Sequence, residues 1–445
     1  MKRWPSYIPG AVLLFAVLPG IAGAASRFPP PDFESGHQLP TATTPAPDAS
    51  WYAILDVAVL IAALGVASYL ILARRSRRGV IGVTIFAIIY FGFWREGCVC
   101  PIGSVQNVSL ALFDRGYVLP LIVGAFFLIP IIFTFLFGRT FCAAVCPLGA
   151  IQDLVATSPV RVPMWLETPL SLLRHIYLAA AVLFAATGSA FIICEYDPFI
   201  AIFRLSGRFN MVLLGVAMLL LGMIVVRPYC RYFCPYGVIL GWISRASTWH
   251  ARIDPQQCVN CHLCKDTCPV NAIRVPTVEP IPPAERGADR RRFVLTAAAL
   301  PLIVALGAGI GYLLVEPMSR MDVAVRLADR LHAEQAGVFT DLTDQTKAFR
   351  ATGSPIADAY DRAATVTWRY RIGTPIAGAF VALAFGMTWL QLARRTRRAE
   401  YDIDRAWCVA CARCFRYCPH DPRNVEMLNE LTAAGQMPAA APGTS

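Results

Sequence analysis

Seven apolar segments are the feature that most restricts how this chain can fold. Each is long enough, or nearly so, to cross about 30 Å of hydrocarbon. The composition agrees, because 56% of the 445 residues are hydrophobic and only 16% are charged. The sequence therefore predicts an α-helical polytopic membrane protein. The predicted spans are residues 51–73, 80–94, 118–137, 171–193, 209–227, 293–315 and 373–393.

The N-terminal residues contain a further apolar run that is shorter than a span. Residues 1–25 begin with basic side chains and end near Ala22-Gly23-Ala24, a pattern typical of a secretory signal peptide. The alternative is an N-terminal anchor, which would raise the number of spans to eight. Residues 26–50 are rich in proline and are interpreted as a periplasmic linker.

Three arginine-rich runs, at residues 74–78, 289–292 and 394–398, each lie next to an apolar segment. Such runs are typical of the cytoplasmic side of a membrane. If the first run is cytoplasmic, strict alternation of the spans places the other two there as well. A re-entrant segment at 80–94 would reverse every later side, and we predict a full crossing instead. The formal net charge of +11 is thus attributed to topology, and no nucleic-acid partner is predicted.

The spans and basic runs divide the chain into parts. The loop between the last two spans is polar and compatible with helices whose charged face is solvated. The predicted parts are a transmembrane domain at 51–250, a first cysteine-motif segment at 251–292, a transmembrane hairpin at 293–393 with a periplasmic loop at 316–371, and a second cysteine-motif segment at 394–445.

Two stretches share the spacing C-x2-C-x2-C-x3-C-P. Three thiolates so close along one loop can hold three irons of a cubane cluster, and the fourth reaches the neighbouring cluster. Zinc is disfavoured, because structural zinc sites prefer two separated cysteine pairs. A C-x-x-C-H run, the pattern of a haem attachment site, ends at His262. It lies inside the longer ferredoxin pattern and is interpreted as a coincidence. The spacing predicts two [4Fe–4S] clusters held by Cys258, Cys261, Cys264, Cys268, Cys408, Cys411, Cys414 and Cys418.

The two motifs are expected to exchange their fourth ligands. In a two-cluster ferredoxin the fourth cysteine of each motif ligates the cluster of the other. We therefore expect Cys268 to complete the cluster of the second motif and Cys418 to complete that of the first. Two spans between the motifs return the chain to the same face, so the exchange is possible. The prediction is a split bacterial-type two-cluster ferredoxin (α+β) module on the cytoplasmic side.

Four further cysteines form two C-x3-C-P pairs that alternation places on the cytoplasmic face: Cys142, Cys146, Cys230 and Cys234. Four thiolates are the ligand number of one further iron–sulfur centre. The alternative is reduced, structural cysteines at helix ends. The stretches CAAVCPLGAIQDL and CRYFCPYGVILGW share their ending with CVCPIGSVQNV, so the same turn recurs at three membrane boundaries.

Alternation places the remaining cysteines, Cys98, Cys100 and Cys194, together on the outer face. One interpretation is a disulfide, which is natural in an oxidising compartment. A bridge between Cys98 and Cys100 would close a very small, strained ring. The other interpretation, which we adopt, is a periplasmic-side centre held by the three thiols with a fourth, non-cysteine ligand or a partner.

The chain resembles the membrane and polyferredoxin part of the NosR/NirI family, associated with nitrous oxide and nitrite respiration. The resemblance covers about residues 51–425 and rests on GCVCPIGSVQNV, FCAAVCPLGAIQDL, YCRYFCPYGVIL, TDQTKAFRATGSP and YDIDRAWCVACARCFRYCP together with both ferredoxin motifs. Members typically carry a periplasmic domain with FMN bound covalently to a threonine in an S/T-G-A-T motif. This sequence has no such motif, which leaves FMN doubtful.

No general acid/base pair, activated nucleophile or phosphate-binding glycine loop stands out, so an electron-transfer component is predicted rather than an enzyme with its own substrate pocket. The resemblance implies a multi-pass protein of the bacterial inner membrane. It implies electron transfer between a quinol or cytoplasmic donor and a periplasmic reductase, its maturation, or an accessory redox protein. The alternatives are a redox-sensing regulator or assembly factor and an anchor for another polyferredoxin subunit.

Overall fold

A computed structural model describes residues 50–418, apart from 98–99, 158–159, 161, 207–208, 256–257, 259, 278–282, 340, 394–397 and 399. The predicted signal peptide or anchor, nearly all of the linker, Cys98, most of the third arginine run and the chain beyond Cys418 lie outside these residues.

The first half of the described chain is a series of helices. They are α1 (Ser50–Leu72), α2 (Arg77–Ala87) with a π-helical continuation (Ile88–Trp94), α3 (Pro101–Phe113), α4 (Leu121–Phe137), a π-helical turn (Phe141–Val145), α5 (Pro147–Val155), α6 (Met164–Thr187), α7 (Ile192–Glu195), α8 (Pro198–Phe203), α9 (Phe209–Ile224), α10 (Pro228–Tyr232) and α11 (Pro235–Ser244).

The second half adds two short strands. Its elements are α12 (Leu263–Thr267), β1 (Ile273–Arg274), α13 (Pro283–Leu313), α14 (Val315–Ser319), α15 (Val323–Gln335), α16 (Asp344–Ala351), α17 (Ile356–Ala393), β2 (Asp402–Ile403) and α18 (Arg413–Arg416).

All seven predicted apolar segments are helical. Among the described residues, five helices are long and apolar enough to cross a membrane: Trp51–Leu72, Arg77–Trp94, Met164–Thr187, Asp289–Leu313 and Ile356–Ala393. The other two, α4 and α9, are shorter apolar helices of 17 and 16 residues. The fourth segment differs from its prediction, because α6 begins at Met164 and ends at Thr187, where Gly188 adopts φ 79°. A left-handed glycine of this kind is a common helix end.

The polar segment 316–371 is mostly helical. Asp322 caps α15 by accepting a hydrogen bond from Ala324 N, and Thr343 caps α16 by accepting one from Thr346 N. Glu334, whose side chain is only 5% exposed, pairs with arginines of both helices. These helices pack at the end of the α13–α17 hairpin that is remote from the ferredoxin motifs.

Small residues allow α13 and α17 to pack closely. A Cβ at Gly307 would collide with Gly378 O and with the Cβ of Ala382, and a Cβ at Gly311 would collide with Thr374 O. Glycines four residues apart are typical of closely packed membrane helices. The hairpin therefore returns the chain to the end at which α13 begins, where strands β1 and β2 pair.

Three helices of the first half begin with the same Cys-Pro step. Pro101, Pro147 and Pro235 stand in the first turns of α3, α5 and α11, each directly after a cysteine. Proline is well suited to this position because the first N–H groups of a helix have no intrahelical partner. The recurring turn predicted from the sequence thus places a thiol at the start of each helix, next to the buried core around Leu64, Phe91 and Leu148.

Candidate iron–sulfur centres

The two ferredoxin-motif segments meet in one module. Strand β1 of the first pairs antiparallel with β2 of the second, with Ile273 opposite Ile403. The Tyr401 hydroxyl lies 2.5 Å from His262 Nδ1, which joins the second segment to the first motif. Helix α12 also packs against α18. Backbone pairing and side chains together hold the motifs side by side.

Cysteines of both motifs line one cavity beside this sheet. Cys268 of the first motif shares the cavity with Cys408, Cys411 and Cys414 of the second. Burial raises the pKa of Cys408 to about 12, and the charges of Cys411 and Cys268 act in the same direction. This group therefore contains three thiols from one motif and the fourth thiol of the other.

The remaining four cysteines combine three thiols of the first motif with the fourth thiol of the second: Cys258, Cys261, Cys264 and Cys418. Burial, followed by the charges of Cys261, Cys258 and Cys418, raises the pKa of Cys264 to about 11. Cys418 acts on Cys261 as well. Within the described ranges, no three His, Cys, Asp or Glu side chains converge on the position of a single metal ion.

The backbone turns in the same way in both motifs. Asn260 and His262 have φ of 54° and 60°, and Ala410 and Ala412 have φ of 53° and 59°. These residues stand two and four positions after the first cysteine of their motif. Positive φ is uncommon outside glycine, so its recurrence at matching positions indicates that the two motifs share a loop conformation. In the second motif Ala410 N lies 3.4 Å from Cys408 Sγ, and such hydrogen bonds to sulfur tune the reduction potential of a cluster.

The four cysteines of the C-x3-C-P pairs also lie together. Cys146 and Cys234 each interact electrostatically with both Cys142 and Cys230. Gly149 permits this approach, because a Cβ there would lie 3.6 Å from Cys230 Sγ and 3.2 Å from the Cys142 carbonyl. The structure therefore assembles the four thiols that the sequence analysis grouped.

Two buried arginines and a glutamine contact this inner group, as we call Cys142, Cys146, Cys230 and Cys234. Arg139 lies 3.7 Å from Cys142 Sγ, and Gln152 donates to Cys230 Sγ at 3.6 Å. Arg227 is only 1% exposed, has φ 54° and donates to the carbonyls of Cys142 and Ala143. Buried thiolates require compensating cations. The donor set and its surroundings thus fit an iron–sulfur cluster.

Sequence analysis did not identify these cations, although a signal was present. Arg139 and Arg227 each stand three residues before the first cysteine of their pair, and Arg95 stands three residues before Cys98. Arg95 pairs with buried Asp56 at 2.8 Å. The recurrence of Arg-x2-Cys in all three copies of the repeat could have singled out the arginines.

The segment after α6 folds back along that helix. The Tyr177 hydroxyl donates to the Ile192 carbonyl at 3.4 Å, although α6 continues for ten more residues, to Thr187. Ten helical residues correspond to about 15 Å. The Ile193 N–H donates to Gln106 Oε1 at 3.0 Å and so holds this segment against α3.

This return brings Cys194 to Cys100, which itself lies beside the inner group. Cys194 Sγ lies 3.4 Å from the position that a Cβ would take at Gly103. Cys100 interacts electrostatically with Cys194 and with Cys146. Strict alternation had placed a membrane thickness between Cys100 and the inner group, because it assumes that connecting segments stay at the membrane surface. The structure instead places them as neighbours.

Comparison with known proteins identifies two family matches. One family model, described as "4Fe-4S binding domain", matches residues 117–164 and 208–253, which contain the inner group. A second family model with the same description matches residues 251–274. No solved structure matches the chain.

Several curated proteins are similar to part of the chain. The putative electron transport protein YccM of Escherichia coli K12 is 27% identical over 40% of this chain and 56% of its own length. Protein NirI of Paracoccus denitrificans is 28% identical over 45% of this chain and 31% of its own length. The regulatory protein NosR of Stutzerimonas stutzeri is 26% identical over 43% of this chain and 29% of its own length. The matches thus cover little more than half of YccM and under a third of NirI and NosR.

Proposed function

We propose, on the premise that this chain is a NosR/NirI-type membrane polyferredoxin, that it passes electrons between the two sides of the bacterial inner membrane. The donor is the quinone pool or a cytoplasmic protein. The acceptor is a periplasmic respiratory reductase of the nitrous oxide or nitrite type, or the machinery that matures it. The ferredoxin module faces the cytoplasm.

The observation that carries the proposal is the contact between the ferredoxin module and the inner group. Arg227 interacts electrostatically with Cys411 of the module and with Cys142 and Cys230 of the inner group. Arg139 spans the same boundary, since it donates to the Ala406 carbonyl at 2.9 Å and also contacts Cys142 Sγ. The two groups therefore share their cations.

The thiols would hold [4Fe–4S] clusters, which supply one-electron oxidation and reduction when bound. The chain's own residues hold these ligands, exclude water and place arginines beside the thiolates. Electron tunnelling weakens steeply with distance, so about 30 Å of hydrocarbon cannot be crossed in one step. A row of groups that continues from the module to the inner group and on to Cys100 supports transfer in shorter steps.

A regulatory role is the second candidate, because one of the similar proteins is named a regulatory protein. In that case the same thiol groups would report the redox state of the membrane. Reduction and reoxidation fast enough for respiratory turnover favour the conduit. Slow exchange accompanied by a changed cofactor content of a partner favours the regulator or assembly factor.

The test is anaerobic purification with iron and sulfide analysis and redox-poised EPR spectroscopy. Two ferredoxin clusters and the inner cluster require about 12 irons per chain. The double variant Cys146→Ser with Cys234→Ser should lose about four of these and one EPR signal, while both ferredoxin signals remain. An unchanged iron content in this variant would remove the inner cluster from the proposal.

A further inference from the structure

The surroundings of the inner group are repeated at a second place in the membrane domain. In the inner group, Gln152 Oε1 accepts a hydrogen bond at 3.1 Å from Tyr229 N, which directly precedes a cysteine. At the second place, Gln106 Oε1 accepts one at 3.0 Å from Ile193 N, which also directly precedes a cysteine. Each glutamine is the sixth residue after a cysteine of a Cys-Pro step.

The glycine contacts repeat as well. A Cβ at Gly149 would lie 3.6 Å from Cys230 Sγ, and a Cβ at Gly103 would lie 3.4 Å from Cys194 Sγ. Each glycine is the third residue after the Cys-Pro cysteine and lies against a thiol of another segment. Cys194 therefore occupies at the second place the position that Cys230 occupies in the inner group.

The correspondence identifies the counterpart of Cys234. Cys234 precedes Pro235 and is the N-terminal cap of α11. Asp197 stands three residues after Cys194, one fewer than the spacing from Cys230 to Cys234, and caps α8 directly before Pro198. A carboxylate thus stands at the place where the inner group has its fourth thiol.

Asp197 has one oxygen available for a ligand. Its side chain is 3% exposed, and Oδ1 accepts a hydrogen bond from Phe199 N at 2.9 Å. Oδ2 is buried and has no hydrogen-bond partner among the described residues. Cys100 interacts electrostatically with both Asp197 and Cys194. A buried carboxylate oxygen without a partner is costly unless a cation satisfies it.

We propose that Asp197 is a ligand of a second membrane-domain iron–sulfur centre, which it holds through Oδ2 together with the thiols of Cys100 and Cys194. Asp197 would thus be the non-cysteine ligand that the sequence analysis required beside Cys100 and Cys194. Carboxylate oxygen is an established ligand type for iron, as in the two-histidine, one-carboxylate sites. The proposal rests on the proposed function in one respect, that the inner group, whose geometry it repeats, itself binds a cluster. Cys194 is exposed, so this centre would lie at the edge of the protein.

The test compares substitutions of Asp197 in the full-length protein, purified anaerobically. Asp197→Asn keeps an oxygen that can cap α8 but removes the anionic ligand, so it should lose about four irons per chain and one EPR signal. Asp197→Cys should retain the iron of the unsubstituted protein and change the EPR signal and midpoint potential of one centre, because a thiolate replaces a carboxylate. Circular dichroism monitors folding in each variant.

A matched control is Asp322→Asn. Asp322 caps α15 by accepting from Ala324 N at 2.7 Å, as Asp197 caps α8, but it lies in the segment remote from the cysteines. This variant should leave iron content and EPR spectra unchanged.

Two results would overturn the proposal. One is Asp197→Asn with unchanged iron content and EPR spectra; the other is Asp197→Cys with every spectrum and potential unchanged, which decides the matter even if the asparagine variant does not fold. Failure of the inner cluster is distinguishable, because Cys234→Ser would then keep all its iron whatever Asp197→Asn does.

Discussion

Ile273 and Ile403 are antiparallel partners in a two-stranded sheet, although 130 positions of sequence separate them. The ion pair between Arg274 and Asp404, at 3.4 Å, flanks this pairing. A complete membrane hairpin lies between the two strands. The ferredoxin module therefore forms only if the first residues of α13 and the last residues of α17 lie close together.

The exchange of fourth ligands predicts crossed cluster losses. Cys268→Ala should lower the iron bound at the second motif, because Cys268 lines the cavity of Cys408, Cys411 and Cys414. Cys418→Ala should instead affect the first motif. Iron analysis with EPR of each single variant measures both effects. If Cys268→Ala empties only the first motif, each motif is self-contained.

Asp153 is predicted to hold the ferredoxin module on the membrane domain. It is 1% exposed and pairs with Arg77 at 2.5 Å, Arg227 at 3.3 Å and Arg413 at 3.0 Å, and Arg77 also donates to the Cys411 carbonyl at 2.9 Å. Asp153→Asn leaves three arginines without their anion. We expect a loss of about 3–5 kcal/mol of stability, measured by denaturant unfolding in micelles.

The control for Asp153 is the exposed pair Arg320–Glu316, whose side chains are 58% and 73% exposed. Glu316→Gln should change stability by less than about 1 kcal/mol, because water screens exposed pairs. Hydrogen exchange in residues 400–418 should accelerate in Asp153→Asn alone. Equal protection of this segment in both variants would contradict the role assigned to Asp153.

The α13–α17 contact provides a steric prediction with an internal control. Gly307→Leu should destabilise the protein by about 1–3 kcal/mol or more, because the new side chain meets the backbone of α17. Gly309→Leu should have little effect, since a Cβ there has no neighbour within 4 Å. Thermal unfolding followed by circular dichroism separates the two. Similar losses for both variants would argue against close packing at Gly307.

The proposed sidedness can be tested with native lysines. The chain has three, Lys2, Lys265 and Lys347, and the last two are exposed at opposite ends of the α13–α17 hairpin. A membrane-impermeant amine reagent added to spheroplasts should modify Lys347 but not Lys265, as peptide mass spectrometry will report. Both should react after the membrane is opened. Modification of Lys265 alone in intact spheroplasts would reverse the topology.

The lowered pKa of His250 is expected to make the protein less stable in mild acid. Burial, then the charges of Arg405 and Arg252, lowers its pKa from 6.5 to about 4. Between these values the unfolded chain binds a proton that the folded chain does not, so stability falls as pH decreases from about 6.5 towards 4. The midpoint temperature should drop less between pH 7.5 and 5.5 in His250→Gln than in the unsubstituted protein. An equal drop would assign the effect to other groups.

The sequence alone determined the seven apolar helices and the two ferredoxin motifs, because hydropathy and cysteine spacing are local properties. It also indicated that Cys142, Cys146, Cys230 and Cys234 belong together. It did not determine the ends of α6, which begins seven residues before the predicted span and ends six residues before the end of that span.

Only the tertiary structure decided that Cys100 lies beside the inner group and that Asp197 interacts with Cys100. This arrangement depends on hydrogen bonds between distant segments, such as Ile193 N to Gln106 Oε1, 87 positions away. Such bonds leave no periodic signal in the sequence. A rule of alternating sides describes where spans begin and end, but not a connecting segment that folds back into the protein because buried polar partners hold it there.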